Sequence, residues 1–422
     1  MQKTYVVIGN SAAGFAVVNK LRELDGGAEI ICISKEKDCP YNKCKLAKYL
    51  SGGIIKREVL TATEKEIKEL ENKNTHMLLG KRVGEILSAP STLRQAQGRA
   101  SNFSVVLEDG EKISYDKLFI ATGASPVIPN IMGINNKKDS INAIFTFHTL
   151  EDTNSMLEFI KRNNPKNAVV IGAGMTGIEC ADALVKKSQG KLGVTVIDKG
   201  THVLGHQCDA YGAKIIQSAV KKNGVRFINS EAAKEIVYEN GKISCVVIDS
   251  GEFILADMVI FAVGVKPNIG LAQNAGIKIG EFGVETDDSM QTNLKNIYAG
   301  GDVAQVKDFV TGNYVRSCTW HDACDQGQIA AQAMLGEKVK YKGALSFAVS
   351  QFWGMKFASF MESFYHKAKY EQYIKKTDNF YHKILLEDGF VRGFLLVGDI
   401  TPLGALYKSL QQEKPFDIDN LS

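Results

Sequence analysis

An apolar segment that runs into a glycine turn occurs twice in this chain, and this repeat constrains the fold more than any other feature. Residues 6–9 read Val-Val-Ile-Gly with Gly14 following, and residues 169–172 read Val-Val-Ile-Gly with Gly177 following. A helix-compatible sequence comes after each turn. A helix that begins at such a turn directs its free N–H groups and the positive end of its dipole at a phosphate. The repeat therefore predicts two nucleotide-binding βαβ units.

A second pair of segments repeats as well. Residues 116–123 and residues 257–264 each run from an aspartate through an apolar stretch to a glycine, and Pro126 and Pro267 follow them at the same offset. Strands that alternate with helices in this manner form parallel sheets. We therefore predict an α/β fold with two Rossmann-like dinucleotide-binding domains.

The composition excludes several classes of function. Of the 422 residues, 45% are apolar and 23% are charged, which allows a large buried core. A net charge of +4 without long blocks of one sign argues against a nucleic-acid partner. The longest apolar stretch, residues 169–185, contains Glu179 and Asp182, so we expect no membrane span. The 8 cysteines are too sparse for a secreted disulfide scaffold, and the start of the chain lacks a signal-peptide pattern, which favours a cytoplasmic protein.

The turn of the second copy has the complete dinucleotide pattern Gly-x-Gly-x-x-Gly. Asp198 ends the next predicted strand, where a carboxylate can accept from ribose hydroxyls and repel a 2′-phosphate. Asp198 therefore favours NADH over NADPH, although Lys199 beside it would suit a phosphate. The residues predicted to bind the nicotinamide dinucleotide are Gly172, Gly174, Gly177, Glu179, Asp198 and Gly264.

In the first copy a serine replaces the middle glycine, which leaves a phosphate less room. The predicted contacts in this turn are Gly9, Ser11, Ala12 and Gly14. Glu36 follows the next predicted strand and is the nearby carboxylate able to hold an adenosine ribose; alternatively, it is an ordinary solvated acid. Two dinucleotide sites in one chain favour a bound flavin that takes a hydride from a nicotinamide.

The motifs, in this order, resemble those of the FAD-dependent pyridine nucleotide-disulfide oxidoreductase superfamily. They are the two glycine turns, the segments Ala-Thr-Gly at 121–123 and Ala-Val-Gly at 262–264, and residues 292–302, which end in Gly-Gly-Asp. The resemblance implies bound FAD and NADH. It also implies that FAD is held partly by Ala121, Thr122, Gly123, Gly301 and Asp302, the last two at its ribityl and phosphate part.

Residues 40–48, Pro-Tyr-Asn-Lys-Cys-Lys-Leu-Ala-Lys, are similar to the P-Y-x-R-P-x-L-S-K segment of rubredoxin and ferredoxin reductases and of the NADH-oxidising flavoprotein portion of nitrite reductases. This resemblance implies that Lys48 lies beside the flavin ring as a fixed positive charge, while Lys43 replaces the arginine of the family. It further implies that electrons pass from NADH through FAD to a small iron–sulfur protein, such as ferredoxin or rubredoxin, or to a partner redox subunit.

The same alignment places Cys44 where coenzyme A-disulfide reductases and NADH oxidases or peroxidases carry a redox cysteine. A thiol at a helix amino terminus beside Lys43 and Lys45 would have a lowered pKa. Three alternatives stay open at this position: a catalytic thiol, a disulfide between Cys39 and Cys44, or a small packed side chain that takes the place of a proline. A further alternative is a flavoprotein scaffold or redox sensor with little turnover of its own.

Other candidate features carry weaker signals. Cys318 and Cys324, with one histidine between them, do not provide a four-ligand metal site, so we predict no metal and a structural role for both thiols. Trp320 resembles an aromatic residue that lies near the electron exit in ferredoxin-reductase relatives; alternatively, it only packs in the core. We expect surface roles for His148, His202 and His206, and a loop at residues 88–102.

After Gly336 the sequence changes to alternating aromatic and aliphatic strands, including residues 381–386 and 390–397 around Asp388-Gly389. This pattern predicts a small C-terminal α+β domain, which relatives use to cover the flavin and sometimes to form a homodimer. The predicted domains are a first FAD-binding part at 1–145, an NAD-binding domain at 146–270, a second FAD-binding part at 271–336 and the C-terminal domain at 337–422.

Overall fold

The computed structural model describes residues 2–87, 103–134, 143–360 and 370–418. The loop predicted at residues 88–102 lies outside these ranges. The chain divides into two compact units. The first unit comprises residues 1–44, 56–125 and 266–346, and the second comprises residues 45–55, 126–265 and 347–422.

The strands are short, and most of them pair with strands of their own unit. In chain order they are β1 (Thr4–Ile8), β2 (Glu29–Ser34), β3 (Thr75–Leu79), β4 (Val83–Leu87), β5 (Ser104–Leu107), β6 (Lys112–Ser114), β7 (Lys117–Ile120), β8 (Ala124–Pro126), β9 (Ile144–Thr146), β10 (Asn167–Ile171), β11 (Gly193–Ile197), β12 (Arg226–Ile228), β13 (Ala233–Glu239), β14 (Lys242–Ile248), β15 (Phe253–Leu255), β16 (Met258–Phe261), β17 (Val265–Pro267), β18 (Val284–Glu285), β19 (Ile297–Ala299), β20 (Ala304–Lys307), β21 (Tyr314–Val315), β22 (Phe347–Phe352), β23 (Met355–Phe360), β24 (Glu371–Lys376), β25 (Tyr381–Glu387) and β26 (Phe390–Gly398).

The helices are α1 (Ala12–Leu24), α2 (Leu46–Ser51), α3 (Lys56–Val59), α4 (Glu64–Glu71), α5 (Leu150–Asn163), α6 (Met175–Ser188), α7 (Ala210–Lys222), α8 (Gly270–Asn274), α9 (Trp320–Leu335) and α10 (Leu403–Gln412). Within the described residues, none of these helices combines the length and the apolar character that crossing a membrane requires.

The first unit is built on a parallel five-stranded sheet in the order β19-β7-β1-β2-β3. Tyr5, Val6 and Val7 of β1 are fully buried, as expected for a strand covered on both faces of a parallel sheet. The first glycine turn connects β1 to α1, and α1 packs closely against α9. The predicted strand, glycine turn and helix are therefore confirmed.

The second unit repeats this arrangement with the order β12-β11-β10-β16-β9, again in parallel. The two repeated aspartates have the same role. The Asp116 carboxylate accepts the backbone N–H of Thr4 at 2.8 Å, and the Asp257 carboxylate accepts those of Lys166 and Asn167 at 2.7 and 2.8 Å. Each aspartate thus ties the start of one strand to the start of its neighbour, and the predicted α/β class with two Rossmann-like sheets is confirmed.

The C-terminal part of the second unit is an antiparallel sheet in the order β22-β23-β26-β25-β24, against which α10 packs. The predicted hairpin is present, since β25 and β26 pair around Asp388 and Gly389, whose φ angles are 52° and 79°. A cluster of polar contacts joins this sheet to α7. Asp209, the N-cap of α7, accepts from the Tyr381 hydroxyl at 3.0 Å and from the buried Lys383 ammonium at 3.2 Å.

Candidate functional site

The glycines of the first turn shape the backbone. Gly9 has φ of 108°, and a Cβ there would lie 2.1 Å from the carbonyl oxygen of Ala121. A Cβ on Gly14 would lie 1.8 Å from the carbonyl oxygen of Gly9. Any side chain at either position would force the strands and α1 apart, so both glycines are required for the close approach of helix and sheet.

The second turn reproduces these contacts. Gly172 has φ of 110°, and its Cβ would lie 2.3 Å from the carbonyl oxygen of Ala262, while a Cβ on Gly177 would lie 1.9 Å from that of Gly172. The middle position differs, because a Cβ on Gly174 would meet nothing within 4 Å. Gly174 and Ser11 are the N-caps of α6 and α1. In the second turn the backbone at Gly174 therefore faces open space at the helix terminus, where a phosphate can approach free N–H groups.

The carboxylate predicted for the first site is held by a tyrosine. The Tyr41 hydroxyl donates to Glu36 Oε2 at 2.6 Å, and Tyr41 is buried while Glu36 is half-buried. The backbone N–H of Glu36 donates to the Ser34 hydroxyl oxygen at 3.2 Å. Glu36 is thus oriented at the end of β2 by a residue that our sequence analysis did not assign.

In the first unit, two positively charged side chains lie near the Asp302 carboxylate. Burial raises the pKa of the Asp302 carboxyl, and the positive charges of Lys43 and Arg316 act in the opposite direction. The preceding residue is also held, because the Gly301 N–H donates to the buried Gln326 Oε1 at 2.7 Å. Arg316 was missed by the sequence analysis, since no motif spacing links it to Asp302.

Asn268 holds the turn at residues 121–123. Its side-chain Nδ2 donates to the Thr122 carbonyl oxygen at 2.8 Å, and its backbone carbonyl oxygen accepts from the Thr122 hydroxyl at 3.0 Å. Its backbone N–H donates to the Gly123 carbonyl oxygen at 2.9 Å. The turn is therefore fixed from a segment far away in the sequence, and Asn268 was also missed.

Asp198 ends β11, as predicted, and contacts the glycine turn of its own unit. Its Oδ2 accepts the backbone N–H of Ala173 at 2.5 Å, and its Oδ1 accepts that of Gly200 at 2.6 Å. The carboxylate is half-buried, whereas Lys199 is exposed. Asp198 consequently positions the turn in addition to placing a negative charge next to it.

Glu179 lies in α6 and contacts the C-terminal sheet of the same unit. The Ser350 hydroxyl donates to Glu179 Oε1 at 2.6 Å. Burial raises the pKa of the Glu179 carboxyl, and the hydrogen bond from Ser350 acts in the opposite direction by lowering that pKa. The helix that carries Lys48, α2, packs against α6, and the Lys48 side chain is exposed.

Cys44 lies in a short 3₁₀ turn formed by Lys43–Lys45, and it is exposed. Its backbone N–H donates to Asn42 Oδ1 at 2.9 Å. Cys39 is half-buried, and burial raises the pKa of its thiol. The described residues include all 8 cysteines, and no disulfide joins any two of them, Cys39 and Cys44 included.

The remaining sequence candidates lie mainly in packing positions. Cys324 is half-buried with its Sγ 3.8 Å from the Ala12 carbonyl oxygen, and burial raises its pKa to about 11. Trp320 begins α9 and packs against the core. His206 is exposed, while His148 and His202 are half-buried. In the described part of the chain, no three His, Cys, Asp or Glu side chains come together in a way that could hold a metal ion.

Comparison with known proteins identifies relatives of several kinds. The family model described as pyridine nucleotide-disulphide oxidoreductase matches residues 3–327. The NADH oxidase of Methanocaldococcus jannaschii is 34% identical over 82% of this chain and 73% of its own length. The ferredoxin–NAD(+) reductase component of the 3-phenylpropionate/cinnamic acid dioxygenase of Photorhabdus laumondii is 27% identical over 84% and 82%. The epsilon subunit of the NADH-dependent phenylglyoxylate dehydrogenase of Aromatoleum evansii is 26% identical over 95% and 90%.

A solved structure agrees with this result. The NAD-dependent persulfide reductase from A. fulgidus superposes with a TM-score of 0.85 and 27% identity, covering 99% of this chain and 78% of that one. The matched family model spans both glycine turns and the Gly301-Asp302 segment. With its two glycine-turn sheets built on the same contacts, the chain belongs to the pyridine nucleotide-disulphide oxidoreductase family and is an oxidoreductase.

Proposed function

We propose that this protein binds FAD in its first unit and NADH at the second glycine turn, and that it transfers electrons from NADH through FAD to a redox protein. The observation that carries the proposal is the duplicated turn, in which helix and strands approach closely and, in the second copy, the space at Gly174 is left open. In this proposal residues 1–145 and 271–336 form the FAD-binding domain, 146–270 the NAD-binding domain and 337–422 the C-terminal α+β domain.

The residues present fit both dinucleotides. At the first turn, the N–H groups at the start of α1 would bind a pyrophosphate, Glu36 would accept from the adenosine ribose and Asp302 from the ribityl chain. At the second turn, the N–H groups at the start of α6 would bind the pyrophosphate of NADH, and Asp198 would accept from its ribose hydroxyls. Glu179 and Lys48 would place charges near the reacting rings. Bound FAD would supply an acceptor that takes electrons in pairs and can release them singly.

The acceptor in this proposal is a ferredoxin- or rubredoxin-like protein or a partner subunit. The match to the epsilon subunit supports it, because the similarity runs over nearly the whole of both chains. A second candidate, a Cys44-dependent reductase of disulfides, persulfides or peroxide, is favoured by the exposed position of Cys44 and by the persulfide reductase structure. We also propose a cytoplasmic location, which the sparse cysteines favour.

Cofactor content tests the proposal directly. We expect the purified protein to be yellow with one FAD per chain, and anaerobic NADH to bleach it. Asp302→Ala should weaken FAD binding by about 2 kcal/mol, or about thirtyfold, because a hydrogen bond to a charged group is lost. Flavin fluorescence after dialysis measures the loss. Asp109→Ala is the control, since Asp109 forms an exposed ion pair in the same unit and should leave FAD bound. Protein that stays colourless after refolding with FAD would refute the proposal.

Coenzyme choice tests the role of Asp198. Wild-type protein should oxidise NADH with a higher kcat/KM than NADPH, and Asp198→Ala should reduce the difference by about 1–3 kcal/mol. Because Asp198 also accepts two backbone N–H groups, Asp198→Asn serves as a matched variant that keeps a hydrogen-bond acceptor and removes the charge. Steady-state kinetics with NADH and with NADPH measures this preference. Equal kcat/KM values for the two coenzymes in the wild type would contradict the proposed role of Asp198.

A further inference from the structure

A serine of the C-terminal sheet contacts the first charged side chain of α6. Ser350 lies on β22 and is separated from Glu179 by 171 residues of sequence, yet its hydroxyl donates to Glu179 Oε1 at 2.6 Å. Both side chains are only partly accessible. A hydrogen bond of this length between a hydroxyl and a carboxylate is strong and fixes the direction in which the carboxylate points.

The surroundings make this contact important for Glu179. Burial and the nearby Asp182 carboxylate both disfavour a charged Glu179, and the Ser350 hydrogen bond opposes them. Asp182 lies one turn further along α6, where it is paired with Lys186 at 2.6 Å. A carboxylate in a half-buried position with a like charge nearby needs such a donor to stay ordered.

Glu179 also lies close to the second glycine turn along α6. It is five residues after Gly174, which at 1.5 Å per residue is about 7.5 Å along the helix axis from the turn. The α2 helix with Lys48 packs against the same helix.

We propose that Ser350 is a positioning residue that holds the Glu179 carboxylate for the binding and oxidation of NADH. The inference rests on the proposed function, because it requires NADH at the second glycine turn. It assigns to the C-terminal sheet a part in the chemistry of the nicotinamide.

The test is stopped-flow reduction of the FAD-loaded protein by NADH. We expect Ser350→Ala to lower the limiting rate of flavin bleaching about tenfold, with a smaller change in the apparent Kd for NADH. Ser350→Thr, which retains the hydroxyl, should restore the rate. Ser359→Ala is the control, since the Ser359 hydroxyl is buried in the neighbouring strand without a hydrogen-bond partner in the structure. It should react like the wild type.

A double-mutant cycle separates positioning from general structural damage. If Ser350 acts through Glu179, Ser350→Ala should cause little further loss in a Glu179→Gln background, so the two effects should be strongly non-additive. Should Ser350→Ala fail to fold, Ser350→Gly, which also lacks a side-chain donor, takes its place. A wild-type rate in Ser350→Ala or Ser350→Gly, or fully additive effects, would overturn the inference. Failure of the proposed function is distinct, because NADH would then not bleach the wild-type flavin.

Discussion

Gly174→Val should strongly weaken the reduction of the flavin by NADH while the protein stays folded and yellow. Gly174 is the N-cap of α6 with φ of −73°, and a Cβ there meets nothing within 4 Å, so the fold can accept a side chain. The same space is where a pyrophosphate must approach the N–H groups of α6. We expect the Kd for NADH to rise at least about a hundredfold, as measured by anaerobic titration of the flavin absorbance.

Two variants control this experiment. Gly404→Val places the same side chain at an exposed position of α10 in the same unit, again with nothing within 4 Å, and should leave NADH binding unchanged. Gly174→Ser copies the serine found at position 11 of the first turn and restores a favourable N-cap, so it should give an intermediate loss. Normal affinity for NADH in Gly174→Val would mean that the coenzyme does not bind at this turn.

Replacement of Cys44 by serine should leave the transfer of electrons from NADH to an artificial dye within a few-fold of the wild type. Under the proposed function the exposed thiol takes no part in delivering electrons to a redox protein. Under the second candidate function the same change should lower the reduction of peroxide or coenzyme A disulfide by orders of magnitude, because no other group would form the covalent intermediate. Activity with dye, ferredoxin and coenzyme A disulfide should therefore be measured side by side.

Cys39→Ser is the matched control for Cys44→Ser. Cys39 is half-buried and its pKa is raised by burial, so it should be less nucleophilic than an exposed thiol. A long-wavelength charge-transfer band on two-electron reduction of the wild type, absent from Cys44→Ser and retained in Cys39→Ser, would contradict the preferred acceptor. It would identify a cysteine-based reductase.

Residues whose role depends on local backbone geometry could be predicted from the sequence. The turns around Gly9 and Gly172 could be recognised because the close approach of strand, turn and helix permits only glycine at fixed offsets. The equal spacing from Asp116 to Gly123 and from Asp257 to Gly264 likewise indicated two units with the same strand–helix arrangement. The hairpin at Asp388-Gly389 followed from the turn residues and the alternation on both sides.

The contacts that orient the candidate site were decided by the tertiary structure. Tyr41 holds Glu36, Asn268 fixes the turn at residues 121–123, and Ser350 holds Glu179. The last two join segments more than a hundred residues apart, so no local spacing marks them. The sequence by itself determined where phosphates can approach, since a glycine turn is a property of a few consecutive residues. Only the folded chain decided which neutral donors orient the carboxylates, because the packing of distant strands and helices brings those groups together.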